Sequence, residues 1–275
     1  MNHKIVKILS VLLLSISVFA SVAEAQKERK ISEVQGDKNG SPLVNDSVKI
    51  TGIVTARIRN GFFMQTPDDQ TDGNAATSEG IQVFTGTEPG GDAAIGNLVT
   101  ITGMVVEYRP KADPLTLPIT EVSMKKGIDT IKVVSKGNPL PKPIVLTVED
   151  FKANVIDQLE KYEGMRVTFG EMTVVAPTGG RVDEASGNST SDGTFYAVLK
   201  GLPRPFREPG FNIYDYVMMP DKEKEKLKKI TPKMPIFDHN PERIRVESTA
   251  QLGAQPIDVT SFAEIKNLTG VVNYS

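Results

Sequence analysis

The stretch that decides the fold is Ser47 to Phe84, SVKITGIVTARIRNGFFMQTPDDQTDGNAATSEGIQVF. From Val48 to Arg59 the even positions are Val48, Ile50, Gly52, Val54, Ala56 and Ile58. The odd positions are Lys49, Thr51, Ile53, Thr55, Arg57 and Arg59. An apolar side chain at every second residue buries one face of a strand and leaves the other mostly polar. Gly61–Gln65 and Gly80–Phe84 follow as two shorter strands, divided by a loop rich in Asp, Gly and Asn. The stretch is thus the front half of a small closed β-barrel.

A short repeat extends this reading. Ile50-Thr51-Gly52-Ile53-Val54 recurs as Ile101-Thr102-Gly103-Met104-Val105 and as Leu268-Thr269-Gly270-Val271-Val272. Glycine inside a strand marks a bulge or a sharp bend. Small barrels need such bends where a long strand coils from one side to the other. The first and fourth strands of a five-stranded OB barrel bend in this way, so Lys49–Ile58 and Leu98–Tyr108 take those places. Ile119–Ser123 supplies the fifth strand, and Ile131–Val134 is a candidate for one more.

Gly137–Lys142, GNPLPK, is a Pro/Gly connector and sets a domain boundary. Beyond it, Thr147 can cap a helix whose apolar face is Val148, Phe151, Val155, Leu159 and Tyr162, with Gly164 as its stop. Met165–Val175, Phe195–Leu199 and Arg243–Glu247 then read as strands, and 179–192 as a polar loop. The third repeat copy lies in the last residues, which leaves nothing after it to build a closing strand. The expected class is mainly β: two tandem OB-like barrels, the second incomplete and preceded by one helix. The expected divisions are a signal peptide at 1–25, a polar leader at 26–46 with a short strand at Lys30–Val34, a barrel at 47–137 and a second β domain at 138–275.

Lys4 and Lys7, the apolar run Ile8–Ala20 and the small-x-small site Ala23-Glu24-Ala25 form an export signal. The apolar run is too short for a bilayer-spanning helix. The expected location is therefore secreted or periplasmic, with no membrane partner after cleavage. Removing Lys4, Lys7 and Glu24 from 32 basic and 34 acidic residues leaves 30 against 33, net −3. That balance excludes the strongly basic field of a duplex-DNA binder. With no Cys, the chain enters an oxidising space without disulfides. Six lysines in Asp221–Lys233 make either a solvated insert or a basic arm.

The runs ITGIVTARIRNGFFMQTP, TSEGIQVFTG and IGNLVTITGMVVEY resemble the OB region of secreted bacterial nucleases that carry an endonuclease/exonuclease/phosphatase domain, the extracellular nuclease family with YhcR-type OB repeats. LEKYEGMRVTFGEMTVVAPTGGRV, FYAVLKGLPRPFREPGF, NPERIRVES and NLTGVVNYS resemble that family's second segment, so the likeness spans most of Lys30–Ser275. The resemblance implies a nuclease domain in cis beyond Ser275, working with a divalent metal, acidic ligands and His. The sequence itself has two histidines, His3 in the signal and His239 in the polar run FDHNPER. A lone His without a placed partner does no acid–base work. No Ser/His/Asp set, phosphate-cradling glycine loop or zinc spacing is present, so no catalytic residue is assigned.

OB barrels bind single strands on strands two and three and on the flanking loops, with aromatic faces for bases and cations for phosphates. The candidates are Phe63, Gln65, Gln82 and Phe84 on the sheet, Arg57 and Arg59 before strand two, and Tyr108, Arg109 and Lys111 after strand four. The expected partner is single-stranded DNA or RNA. Against this, Phe63 or Phe84 could simply pack against a loop or another domain, and the barrels could serve as a spacer without nucleic-acid affinity. Asp68, Asp72, Asn74 and Glu79 approach the spacing of a calcium loop, which makes calcium the one candidate cofactor, although Gln70 stands at a ligand position and the loop also fits a plain polar turn. Arg204, Phe206 and Arg207 mix cation and aromatic in a Pro-rich stretch that equally suits a rigid linker.

Overall fold

A computed structural model describes residues 27–111, 116–151, 157–202, 211–212, 220–230, 236–237 and 242–273. The export signal, Val155, the Arg204–Arg207 stretch and His239 lie outside the described residues. The elements are β1 (Lys27–Glu28), α1 (Ile31–Gln35), β2 (Ser47–Ile58), β3 (Gly61–Gln65), β4 (Gly80–Phe84), β5 (Leu98–Tyr108), β6 (Ile119–Ser123) and β7 (Ile131–Ser135). After the connector come β8 (Ile144–Leu146), β9 (Arg166–Ala176), β10 (Gly180–Asp183), β11 (Asn188–Ser191), β12 (Thr194–Leu199), β13 (Phe211–Asn212), α2 (Asp221–Ile230), β14 (Ile236–Phe237), β15 (Ile244–Glu247) and β16 (Glu264–Val271).

Five strands close into a barrel in the order β2-β3-β4-β6-β5, and β5 pairs back onto β2. The long β2 manages this by pairing with β5 through Ser47–Ile53 and with β3 through Ile53–Ile58. Its ladder shifts between Val54 and Ala56, where the strand turns from one neighbour to the other. The inward positions are those the alternation marks: Val48, Ile50, Val54, Phe62, Met64, Ile81, Val83, Val99, Ile101, Val105 and Val122 form one core. Two repeat glycines sit where the backbone is crowded. A Cβ at Gly52 would stand 2.9 Å from Met64 Cε, and one at Gly103 2.5 Å from Val122 Cγ1.

The leader departs from its expected form. Ile31 to Gln35 is a helix, and Ile31 and Val34 enter the barrel core. Ile and Val three apart share one helix face, and the polar residues around them mask that signal in the sequence.

The second half repeats the plan of the first. β9 pairs with β8 in parallel and with β16 and β12 antiparallel, and β15 extends the sheet from β12. The registers match: Val48 faces Gly103 across β2 and β5, and Val167 faces Gly270 across β9 and β16. Lys27 pairs with Val48, and Ile144 pairs with Val167. Each long strand starts after a left-handed residue, Asn45 in one half and Gly164 in the other, both at φ 70°. Among the described residues no strand links β15 to β16 as β6 links β4 to β5.

The expected helix before β9 is not continuous. Thr147 N donates to Asp150 Oδ2 at 2.9 Å, as a capping box should, but the turn ends after Asp150 and Phe151 is extended. A second single turn spans Glu160–Tyr162. The apolar face still does its work: Phe151, Val148, Leu159 and Tyr162 pack on the second core of Val167, Phe169, Met172, Val174 and Phe195. The polar stretch 179–192 forms an exposed hairpin of β10 and β11. Of the lysine-rich insert, Asp221–Ile230 is helical as α2.

Candidate nucleic-acid interface

Strand parity fixes which side chains of the barrel point outward. With Phe62, Met64, Ile81 and Val83 in the core, Phe63, Gln65, Gln82 and Phe84 face away from it. Phe63 pairs with Gln82 across β3 and β4, and Gln82 with Glu121 across β4 and β6, so the three form one outward row. An outward row on an isolated barrel would be wet. Here Phe63 is 3% exposed, Gln82 7% and Glu121 4%.

The second half packs at the Phe63 end of this row. Val271 at the end of β16 joins Ile58 in packing on Ala56, Phe63 and Ile119. Gln65 Oε1 accepts from the Arg166 backbone N–H at 2.9 Å, and Leu252 N donates to Arg57 O at 2.9 Å. Phe63 and Gln65 are therefore occupied by intramolecular contacts. Gln82 Nε2 donates to Glu121 Oε2 at 2.9 Å, and burial pushes the Glu121 carboxyl up to about 7 against the lowering effect of that bond.

The remaining candidates lie around this covered centre. Arg59 is exposed at the β2–β3 turn, while Arg57 donates to the Pro89 carbonyl and is half-buried. Phe84 is half-buried beside Gly86. At the far end of the row, Tyr108 is 48% exposed and Lys111 is exposed, while Arg109 is half-buried and already has a partner in the chain. Ladder order sets the two groups apart: Ile58 pairs with Gly61 and Gly61 with Phe84, whereas Tyr108 pairs with Ile119. Cations and one aromatic thus flank the three-stranded face from both ends. They do not converge on one pocket.

The Asp/Gly/Asn loop is tied to itself. Asp72 Oδ1 accepts from Asn74 N at 2.7 Å and Oδ2 from Thr77 Oγ1 at 2.9 Å. Glu79 Oε1 accepts from Asp72 N at 2.6 Å. Burial pushes the Asp72 carboxyl up, but the bonds from Asn74 and Thr77 outweigh it and hold the group below the usual carboxylate value. Asp68 lies outside this knot and accepts from Lys142 N at 3.2 Å. Among the described residues no group of three or more acidic or His side chains is arranged to hold a metal ion.

What sequence reasoning missed is the seam itself. Gln35, Ser78, Thr120 and Glu163 meet between the halves: Thr120 N donates to Glu163 Oε1 at 3.0 Å, Gln35 Nε2 to the same oxygen at 3.1 Å and to Gly80 O at 2.7 Å, and Ser78 Oγ to Glu163 O at 2.5 Å. Neither residue type nor spacing signals these contacts, because their partners lie 43 to 128 residues apart.

No protein-family model matches the chain, and no curated protein matches it. Among solved structures it is similar to a chain of a replication protein A heterotrimer bound to ssDNA, at 14% identity and a TM-score of 0.24, over 58% of this chain and 36% of that one. The chain thus spans just over a third of that protein's length. At this identity and TM-score the likeness bears on neither ligand nor activity.

Proposed function

We propose that this chain is the exported, non-catalytic OB region of a nuclease-type protein, which holds single-stranded nucleic acid on the barrel or positions a nuclease domain encoded in cis. The observation that carries this reading is the closed β2-β3-β4-β6-β5 barrel, with Arg59 exposed at one end of its three-stranded face and Tyr108 and Lys111 at the other. OB barrels use that face and those loops for single strands. The resemblance of the barrel sequence to secreted nucleases supplies the nuclease context, and the reading frame past codon 275 tests it directly.

A second reading is favoured by a different observation. The row Phe63–Gln82–Glu121, where bases would stack, is buried, and Val271 of the second half packs on the cluster that holds Phe63. A barrel whose ligand face serves its own chain is a docking or spacing module. Titrating labelled single-stranded DNA at several salt concentrations separates the two. A nucleic-acid module binds saturably at low salt and weakens as salt rises, since bound phosphates release counterions. A spacer shows no saturable binding.

A further inference from the structure

Glu163 is the most deeply set charged side chain of the seam. It ends the Glu160–Tyr162 turn just before β9 and is fully buried. Its Oε1 joins the halves by accepting from Thr120 of β6 and Gln35 of α1, while its Oε2 is buried without a partner. Glu160 Oε2 and Glu107 Oε2 are likewise buried and unpartnered. We propose that the seam is a proton-operated latch: Glu163, backed by Glu160 and Glu107, keeps the two halves docked while the cluster holds a proton and loosens them when it ionises.

Among the described residues, the surroundings of Glu163 carry no compensating charge. From its own turn it faces Glu160, and from β5 it faces Glu107; both are acidic, and Asp157 adds a further acid beside Glu160. The other elements packed on it offer neutral groups: Gln35 from α1, Ser78 and Gly80 from the edge of β4, Thr120 from β6 and the Val272 backbone after β16. The nearby charges point elsewhere. Lys161 pairs with Asp150 at 3.9 Å, the Arg166 side chain donates to the Pro141 carbonyl, and Glu121 is bonded to Gln82. Burial first, then the Glu160 charge, holds the Glu163 carboxyl well above the usual carboxylate value. Burial, Glu107 and Asp157 push Glu160 up to about 7. A buried carboxylate without a counter-ion is costly, and the cluster avoids that cost by keeping its proton.

The sign follows from proton counting. Parting the halves returns these groups to water, where a glutamate ionises near its ordinary value of 4.5. Between that value and about 7 the docked state binds more protons than the parted one, so docking weakens as pH rises, by up to about tenfold per pH unit for each proton released. Acid closes the seam and alkali loosens it, whatever the barrel binds.

Hydrogen exchange on the full chain tests this, read at the Thr120 and Arg166 amides, which donate across the seam to Glu163 and Gln65. After correction for the intrinsic pH dependence of exchange, protection at both should fall about tenfold or more from pH 5.5 to 8.5. Amides within the β2–β5 ladder should not change. Glu163→Gln mimics the protonated acid and should make that fall clearly smaller, the remainder coming from Glu160. A pH-independent seam in the wild type, or a Glu163→Gln variant that loosens as the wild type does, overturns the latch. If Glu163→Gln does not fold, Glu160→Gln takes its place, and an unaltered pH slope in it has the same consequence.

Discussion

Gly80→Ala is the sharpest perturbation of the seam. Gly80 has no left-handed backbone, so an alanine there adds a methyl group and no conformational strain. That methyl would lie 2.2 Å from the Gly164 carbonyl carbon, and 2.4 Å from both the Gly164 oxygen and Met165 N. All three are backbone atoms of the other half and cannot rotate aside. Carbon contacts settle at about 3.5–4.0 Å, so the halves must part by about an ångström or more. Overpacking of this kind costs ~1–3 kcal/mol. The bonds from Gln35, Ser78 and Thr120 to Glu163 span only 2.5–3.1 Å and weaken together; each contributes ~1 kcal/mol net. A loss of about 3 kcal/mol corresponds to a fall of roughly 6–12 °C in melting temperature for a chain this size. Thermal melts by circular dichroism, with a dye that reports exposed apolar surface, measure it. Dye binding should rise below the main transition as Phe63, Ala56 and Ile119 are uncovered. Gly170→Ala is the control, since a methyl there meets nothing within 4 Å. If Gly80→Ala melts within about 2 °C of the control, the halves do not meet at the Gly80–Gly164 contact.

Four further outcomes follow from the same geometry. Gly103→Ala, whose methyl would stand 2.5 Å from Val122 Cγ1 and 2.8 Å from Ser123 O, should cost ~1–3 kcal/mol by denaturant unfolding; Gly270→Ala, in the same repeat motif but with nothing within 4 Å, should cost nothing measurable. Glu121 is held up to about 7; because the folded state keeps a proton that the unfolded chain releases, stability should fall as pH rises from about 4.5 through about 7, by about 2 kcal/mol once partial screening is allowed for, and Glu121→Gln should flatten that part of the melting-temperature profile. EDTA and millimolar calcium should leave the melting midpoint alike, since Asp72 and Glu79 already bond the loop's own backbone; a calcium-dependent rise would support the metal reading instead. If single-stranded DNA binds, Arg59→Ala with Lys111→Ala should weaken it several-fold and lower the salt slope by about 1.4, the equivalent of two phosphate contacts on a single strand.

The barrel was legible because its signal is local. Gly61–Gln65, Gly80–Phe84, Leu98–Tyr108 and Ile119–Ser123 are strands with the bounds that alternation and flanking turns indicate. The ITGxV repeat was legible too, and it corresponds to equivalent registers at Gly103 and Gly270. α1 was hidden because two apolar residues in a polar leader give no sustained period. The turns around Glu160 were hidden for the opposite reason: the apolar stripe predicts a helix, yet Phe151 is extended and Val148, Phe151, Leu159 and Tyr162 still reach one core. For the candidate site, parity correctly turns Phe63 and Gln82 outward, but it carries no information on what lies outside. The cluster of Ala56, Phe63 and Ile119 is packed by Val271, more than two hundred residues from Phe63 in sequence, through a fold-level contact that no local pattern encodes.

That contact changes what binding at the barrel face requires. A base stacking on Phe63 must first uncover the cluster on which Val271 packs, so its apparent affinity is its intrinsic affinity multiplied by the fraction of open molecules. If docking is worth about 3 kcal/mol, that fraction is below about one in a hundred, and stacking worth ~1–3 kcal/mol per base cannot open the seam and leave a surplus. Single-strand binding at neutral pH must therefore use the exposed rim at Arg59, Tyr108 and Lys111, or wait for the halves to part. The two routes differ in one respect that Gly80→Ala exposes: it should strengthen binding that runs through Phe63 and leave rim binding unchanged.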